Sequence, residues 1–196
     1  VAYWLYTVLS KRLDNTTIQY KLGRSLQEEV GACLLGGHGI PAAVGLAAYE
    51  HLKALEAFNG DTYPEEQLFD WLSMPIHVNG KDIKYRFARQ KACYLHHALK
   101  KLSEENPPIE SGMALRNWLT DIKGIGLKTA SWIARNWLDA DDVAILDIHI
   151  YRAGLLGGFF TDDMTVEKDY LALEQKFIDV ANAMEVRTSE LDAVMW

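Results

Sequence analysis

The stretch that decides the fold is residues 119–130, which read LTDIKGIGLKTA. Apolar residues recur at helical spacing on both sides, over about 111–122 and 127–138, so one helix runs into the central Gly-Ile-Gly and a second begins at once. Two glycines around one apolar residue allow a tight turn and a close approach of the backbone to a ligand. The sequence therefore predicts a helix-hairpin-helix at about 113–137.

Most of the remaining chain also favours helices, separated by turn-forming residues such as Asn79-Gly80. One short extended run is predicted at 143–146, and no internal repeat is present. This pattern is typical of an all-α protein. The helical spacing covers about 26–36, 41–58, 65–73, 85–102, 111–122, 127–138, 148–156 and 166–182.

The hairpin is suited to bind a DNA phosphate. The backbone N–H groups of Gly124, Gly126 and Lys128 would point outward at a helix N-terminus, where unpaired donors and the helix dipole favour an anion. Ile125 would pack into the core. Lys128 lies in the first turn of the second helix, where the same dipole favours the neutral amine that can attack carbon.

Asp147 provides the matching carboxylate. It follows the second helix and the extended run, directly before residues 148–152, where it is predicted to be an N-cap held by backbone amides. A neutral amine beside a fixed carboxylate suits attack on a sugar carbon whose departing base leaves oxocarbenium character. Lys128 and Asp147 together therefore indicate cleavage of an N-glycosidic bond.

Residues 115–152 resemble the helix-hairpin-helix family of DNA glycosylases. In that family a Lys at this hairpin position is typical of bifunctional enzymes, and the catalytic Asp lies in a Val/Leu-Asp-x-His context, as residues 146–149 do here. The hairpin and residues 141–147 are most similar to the 8-oxoguanine glycosylase/lyase branch typified by archaeal enzymes. Residues 86–92 also resemble that family's helix leading toward the hairpin.

The resemblance implies an all-α, two-lobed fold and a Schiff-base mechanism. Lys128 would displace the base from C1′, and β-elimination would then nick the strand, while Asp147 assists and stabilises charge. Within a single glycosylase unit of residues 1–196, we expect a central helical bundle at about 28–123. The second lobe would comprise 1–27 plus 126–196.

The expected function is excision of an oxidised purine, 8-oxoguanine, from DNA as a step of base excision repair. Two alternatives stay open. One is the same chemistry on another modified base in a defence-associated, antiviral setting. The other is a DNA-binding module without turnover, in which Lys128 only contacts the backbone.

Further residues are candidates for contact with the DNA backbone. Although the net charge is −7, residues 81–101 are rich in Lys and Arg and contain a single acid, so one face could meet phosphates. The alternative is a solvated helix face. The candidates are Arg86, Arg89, Lys91 and His149.

Two regions are candidates for the base pocket. The end of the chain resembles the family's C-terminal region, where a Trp stacks on the extruded base, so Trp196 is a candidate stacking platform. Its alternative role is packing in the core. His38 and Gly39 lie in a glycine-rich loop that could line the pocket or form a plain turn.

No cofactor is expected to be required. The resemblance implies at most a monovalent cation, K⁺ or Na⁺, on the main-chain carbonyls of Thr120, Ile122 and Ile125. Cys33 and Cys93 are too few for a disulfide scaffold, a four-cysteine zinc site or an iron-sulfur cluster.

The expected partner is double-stranded DNA containing a damaged or modified base. No apolar run in the sequence reaches the length of a membrane span, so no membrane association is expected. We expect a monomer in the cytoplasm, associated with the nucleoid if the source is prokaryotic.

Overall fold

A computed structural model of the protein describes residues 1–14, 21–37 and 39–195. The described part contains ten helices and one two-stranded hairpin, so the predicted all-α class is confirmed. The elements are α1 (Ala2–Leu13), α2 (Leu26–Leu35), α3 (Ala42–Ala54), α4 (Glu65–Ser73), β1 (Ile76–Val78), β2 (Lys81–Ile83), α5 (Ala88–Glu104), α6 (Gly112–Leu119), α7 (Leu127–Leu138), α8 (Ile148–Gly157), α9 (Val166–Ala183) and α10 (Thr188–Met195).

Helices α2 to α9 correspond to the eight stretches predicted from apolar spacing, whereas α1 and α10 were missed. Helix α1 buries little apolar surface, since Val8 is its one residue in the buried class. Helix α10 is eight residues long, and its buried face includes Ser189 and Asp192. Buried polar side chains hide the apolar period on which the prediction depends.

The β-hairpin was also missed, although the sequence carries its signal. Strands β1 and β2 are antiparallel, with Val78 opposite Lys81. The two turn residues Asn79 and Gly80 have φ of 50° and 78°, the left-handed conformations that an Asn-Gly hairpin turn requires. The predicted extended run at 143–146 belongs to no sheet, because the described part of the chain contains only the β1–β2 pair.

The chain divides into two compact units. The first comprises Val1–Tyr20, Ile109–Asn117 and Leu127–Trp196, and the second comprises Lys21–Pro108 and Trp118–Gly126. The lobe boundaries drawn from the sequence stay a prediction.

The first unit is organised around α10, which packs against α1, α8 and α9. Its apolar core includes Val8, Leu146, Ile150, Phe160, Leu173, Phe177 and Leu191. Residue 146 lies in the extended run before Asp147, so that run is anchored in the core.

In the second unit, α4 packs against α5, and α2 packs against both α3 and α5. Its fully buried side chains include Leu34, Leu35, Tyr49, Leu52, Leu68, Leu72, Leu95 and Leu99. None of the described helices combines the length and the apolar character needed to cross a membrane.

Candidate active site

Lys128 and Asp147 face each other within the first unit. Lys128 is the second residue of α7, and Asp147 immediately precedes α8. Lys128 Nζ lies 3.7 Å from Asp147 Oδ2, and the lysine side chain is 49% exposed whereas that of the aspartate is 7% exposed. A buried carboxylate therefore meets an amine that a substrate can reach.

The Asp147 side chain is held by the start of α8. Its Oδ1 accepts hydrogen bonds from the N–H groups of His149 at 2.8 Å and Ile150 at 2.9 Å. The predicted N-cap is thus confirmed. Because one oxygen is fixed by the helix, the other is presented to Lys128.

The acidic segment that leads from α7 toward Asp147 has structural partners. The Asp142 carboxylate accepts hydrogen bonds from the N–H groups of Gly112 and Met113 at the start of α6. Asp141 accepts a bond from the Ser189 N–H at 3.0 Å and pairs with Arg187 at 2.6 Å. These carboxylates bind the segment to α6 and to the start of α10.

Sequence reasoning missed two residues that lie behind Asp147, Tyr170 and Glu174 of α9. Both are buried, and both bond the main chain of residues 144–146. The α9 core pattern of 170, 173, 174, 177 and 181 places Glu174 at a position where an apolar residue is expected. A charged residue on a helix's core face indicates a buried partner, and that signal could have found it.

The hairpin itself has the predicted glycine turn. Gly124 has φ of +90°, and a Cβ built there would lie 2.3 Å from the ring of Tyr94. Ile125 is 4% exposed and packs in the second unit, as expected. A Cβ on Gly126 would meet no atom within 4 Å, so the backbone at this position is open to a ligand.

The carbonyls proposed for a monovalent cation lie in the same turn. Ile122 O accepts a hydrogen bond from the Ile125 N–H at 3.0 Å, which leaves a second lone pair on that oxygen. A monovalent cation at these carbonyls stays a prediction. Across residues 1–14, 21–37 and 39–195, no group of three His, Cys, Asp or Glu side chains could hold a metal.

Two of the predicted DNA-contacting residues are engaged within the second unit. Lys91 Nζ donates to Leu34 O at 2.6 Å and to Gly36 O at 3.2 Å at the C-terminal end of α2. Burial lowers the pKa of Lys91. Arg89 pairs with the Glu66 carboxylate.

The other two candidates are more accessible. The Arg86 guanidinium lies over the Phe87 ring, 5.0 Å from its centroid, and the residue is exposed. His149 is also exposed, and its backbone N–H caps Asp147. Contact of these residues with DNA stays a prediction.

The candidates for the base pocket are only partly covered by the structure. Gly39 has φ of +77° and belongs to a turn in which the Ile40 N–H donates to Gly37 O at 3.1 Å. His38 and Trp196 lie outside the described residues. Their predicted roles are therefore untested.

The chain matches a known protein family over most of its length. A family model described as 8-oxoguanine DNA glycosylase matches residues 11–186. The chain belongs to the 8-oxoguanine DNA glycosylase family. The family assignment drawn from the hairpin and Asp147 is thereby confirmed.

Two archaeal members of the 8-oxoguanine DNA glycosylase family illustrate the similarity. The 8-oxoguanine DNA glycosylase/AP lyase of Methanocaldococcus jannaschii is 33% identical over 141 residues, covering 69% of this chain and 63% of that protein. The protein of the same description from Saccharolobus solfataricus is 35% identical over 127 residues, covering 59% of this chain and 60% of that protein. The chain thus spans about three fifths of the length of these curated relatives.

Solved structures from the same family have the same fold. The crystal structure of the M. jannaschii 8-oxoguanine DNA glycosylase has a TM-score of 0.71 at 24% identity, covering 100% of this chain and 92% of that chain. The M. jannaschii 8-oxoguanine glycosylase/lyase in complex with 15mer DNA containing 8-oxoguanine has a TM-score of 0.63 at 27% identity, covering 87% and 78%. The helical glycosylase fold is therefore shared.

Proposed function

We propose that the protein is a bifunctional DNA glycosylase/AP lyase that excises 8-oxoguanine from double-stranded DNA. The observation that carries the proposal is the 3.7 Å approach of Lys128 Nζ to Asp147 Oδ2 in a chain of the 8-oxoguanine DNA glycosylase family. The archaeal relatives with the same activity in their names support the lesion and the lyase step. A related structure bound to DNA containing 8-oxoguanine supports the substrate.

In the proposed mechanism, Lys128 is the nucleophile. Its neutral Nζ bonds to C1′ as the N-glycosidic bond breaks, and the electron pair of that bond leaves with the base, which takes up a proton. Opening of the sugar ring at O4′ then gives an imine between Lys128 and the sugar. Loss of a C2′ proton and departure of the 3′ phosphate complete β-elimination and nick the strand.

Asp147 stabilises charge in this scheme. As the base departs, positive character develops at the sugar carbon that Nζ attacks, and the fixed Oδ2 lies on the amine's side of the carboxylate. A buried, immobilised carboxylate stabilises such charge without having to reorganise during the reaction. The capping bonds to α8 supply the immobilisation.

The hairpin would hold the DNA backbone beside Lys128. The open backbone at Gly126 and the N-terminus of α7 favour a phosphate contact, with Gly124 making the turn and Lys128 adding its own N–H. Arg86 and His149 are proposed as further backbone contacts. A monovalent cation on the hairpin carbonyls would stiffen the turn, and the protein would act as a monomer with no other cofactor.

The test is covalent trapping on duplex oligonucleotides that carry 8-oxoguanine, another modified base or a preformed abasic site. Borohydride should trap an adduct with 8-oxoguanine DNA that Lys128→Gln abolishes, because glutamine cannot form an imine. Lys168→Gln is the matched control, since it removes an exposed α9 lysine and should leave trapping unchanged.

Each alternative predicts a different result. Excision of a different modified base in preference to 8-oxoguanine would support the defence-associated chemistry. DNA binding without nicking on any substrate would indicate a non-catalytic module. An undiminished adduct in Lys128→Gln would place the nucleophile elsewhere.

A further inference from the structure

The main chain just before Asp147 is held by side chains instead of by a neighbouring strand. We call residues 144–146 the strap. The first strap N–H donates to Glu174 Oε1 at 3.0 Å, and the third donates to the Tyr170 hydroxyl at 3.2 Å. The second lies near the buried Asp192 carboxylate of α10. Two of these three consecutive amides therefore end on buried side chains of α9.

This arrangement solves a problem of burial. The strap is buried and belongs to no helix or strand, and a buried N–H without an acceptor costs roughly 1–3 kcal/mol. Tyr170 serves the strap twice, because its hydroxyl also donates to Ala144 O at 2.8 Å. A hydroxyl can accept one bond while donating another, so phenylalanine at this position would leave two main-chain groups without these partners.

The two acidic side chains beside the strap are themselves fixed by buried arginines. Arg116 Nη1 of α6 donates to Glu174 Oε2 at 2.8 Å, and Arg135 Nη1 of α7 donates to Asp192 Oδ1. A buried carboxylate is tolerated when it is paired and hydrogen-bonded. These pairs connect the strap to α7, the helix that carries Lys128.

We infer that Tyr170, Glu174 and Asp192 are positioning residues for the glycosylase step. The strap directly precedes Asp147 and fixes its main chain, and the backbone N–H groups of α8 hold Asp147 Oδ1. Together they determine where Oδ2 stands relative to Lys128 Nζ. This inference rests on the proposed function, because it assigns the strap's effect to the charge that Asp147 presents to the reacting sugar.

Tyr170→Phe is the decisive variant, and Tyr85→Phe is its matched control. Both tyrosines are about equally buried, at 5% and 4% exposure, and both hydroxyls donate to a main-chain carbonyl, Tyr85 to Leu35 O at 2.6 Å. Tyr85 lies in the second unit and does not bond the strap. Thermal unfolding of both variants shows whether their losses of stability are similar.

Tyr170→Phe should slow single-turnover excision of 8-oxoguanine by about 10- to 100-fold, since misplacing a catalytic group by about 1 Å costs up to roughly that much. Cleavage of a preformed abasic site should fall less, because no glycosidic bond has to break there. Tyr85→Phe should leave both rates within about twofold. Equal rates in the two variants would overturn the inference.

A double-mutant cycle separates positioning from a general structural role. In an Asp147→Asn background, Tyr170→Phe should cause little further loss of excision, because the charge that it positions is already gone. Multiplicative losses would show that Tyr170 acts independently of Asp147 and would overturn the inference.

Amide hydrogen exchange tests the strap without relying on turnover. Tyr170→Phe should speed exchange at Leu146 relative to the wild type, while Tyr85→Phe should not. Unchanged protection at Leu146 in Tyr170→Phe would refute the claim that Tyr170 anchors the strap, even if activity fell. If the wild type excises no base at all, the proposed function fails, and the positioning role fails with it. The exchange measurement would still show whether Tyr170 anchors the main chain of the strap.

Discussion

Substitution can separate the capping role of Asp147 from its proposed catalytic role, because its two carboxylate oxygens have different contacts. Oδ1 caps α8, whereas Oδ2 faces Lys128 Nζ at 3.7 Å. Asp147→Asn and Asp147→Ser both keep a capping oxygen but remove the negative charge. Asp147→Ala removes the cap and the charge together.

The size of the catalytic effect follows from the distance. A unit positive charge that develops on the sugar carbon as near to Oδ2 as Lys128 Nζ is, at 3.7 Å, is attracted to the carboxylate by about 4.5 kcal/mol at an effective dielectric constant of about 20, and by about 1.1 kcal/mol in bulk water. These values correspond to rate factors of roughly 2000 and roughly 7. Because Asp147 is 7% exposed, we expect Asp147→Asn to slow excision by on the order of 10² to 10³-fold.

The stability of the same variants should follow a different order. Asn and Ser are good N-caps, so their unfolding free energies should stay close to that of the wild type, whereas Ala should cost about 0.5–2 kcal/mol. Single-turnover excision and urea unfolding measure the two effects, with DNA affinity as a further control. If Asp147→Asn slows excision by less than about sevenfold, the carboxylate acts no more strongly than a charge fully exposed to water would. That result would refute the electrostatic role.

Three further predictions test the hairpin, the basic run and the buried tyrosines. Gly124→Ala should lower the unfolding free energy by about 1–3 kcal/mol, because it adds a side chain at positive φ against an aromatic ring. Gly126→Ala places its side chain in open space and should change the unfolding free energy by no more than about 0.5 kcal/mol. Equal losses in the two variants would contradict the predicted strain at Gly124. Arg86→Ala should flatten the salt dependence of DNA affinity by about one unit, whereas Lys91→Met should mainly lower stability; an unchanged slope in Arg86→Ala would make this residue part of a solvated face. Burial raises the pKa of Tyr85, so the unfolding free energy of the wild type should fall as pH rises above the ordinary tyrosine pKa of about 10. Urea unfolding across that pH range should show a smaller fall in Tyr85→Phe.

Two residues of the basic run have partners within the second unit. The Lys91 ammonium is bound to carbonyls at the end of α2, and Arg89 is paired with Glu66. The predicted contact of the basic run with phosphates stays a prediction. Charge density along the chain does not say which side chains find partners within their own unit. Only packing of α5 against α2 and α4 decides that.

What the sequence by itself determined is local. The glycine turn at 124–126, the helix that begins at Leu127 and the cap at Asp147 each depend on the conformational preferences and hydrogen-bonding capacity of a few adjacent residues. These features placed Lys128 on the first turn of a helix and identified its carboxylate partner. They also sufficed to indicate the family.

Only the tertiary structure decided how that carboxylate is held. The strap's hydrogen-bond partners, Tyr170 and Glu174, lie on α9, and its neighbour Asp192 lies on α10. All three are far along the chain, and no local pattern links them to residues 144–146. An extended run predicts that its amides need acceptors, but it does not predict whether a strand or a side chain supplies them. That choice was made by the packing of α9 and α10 in the core of the first unit, where buried amides must be satisfied by whichever polar groups the fold brings within reach.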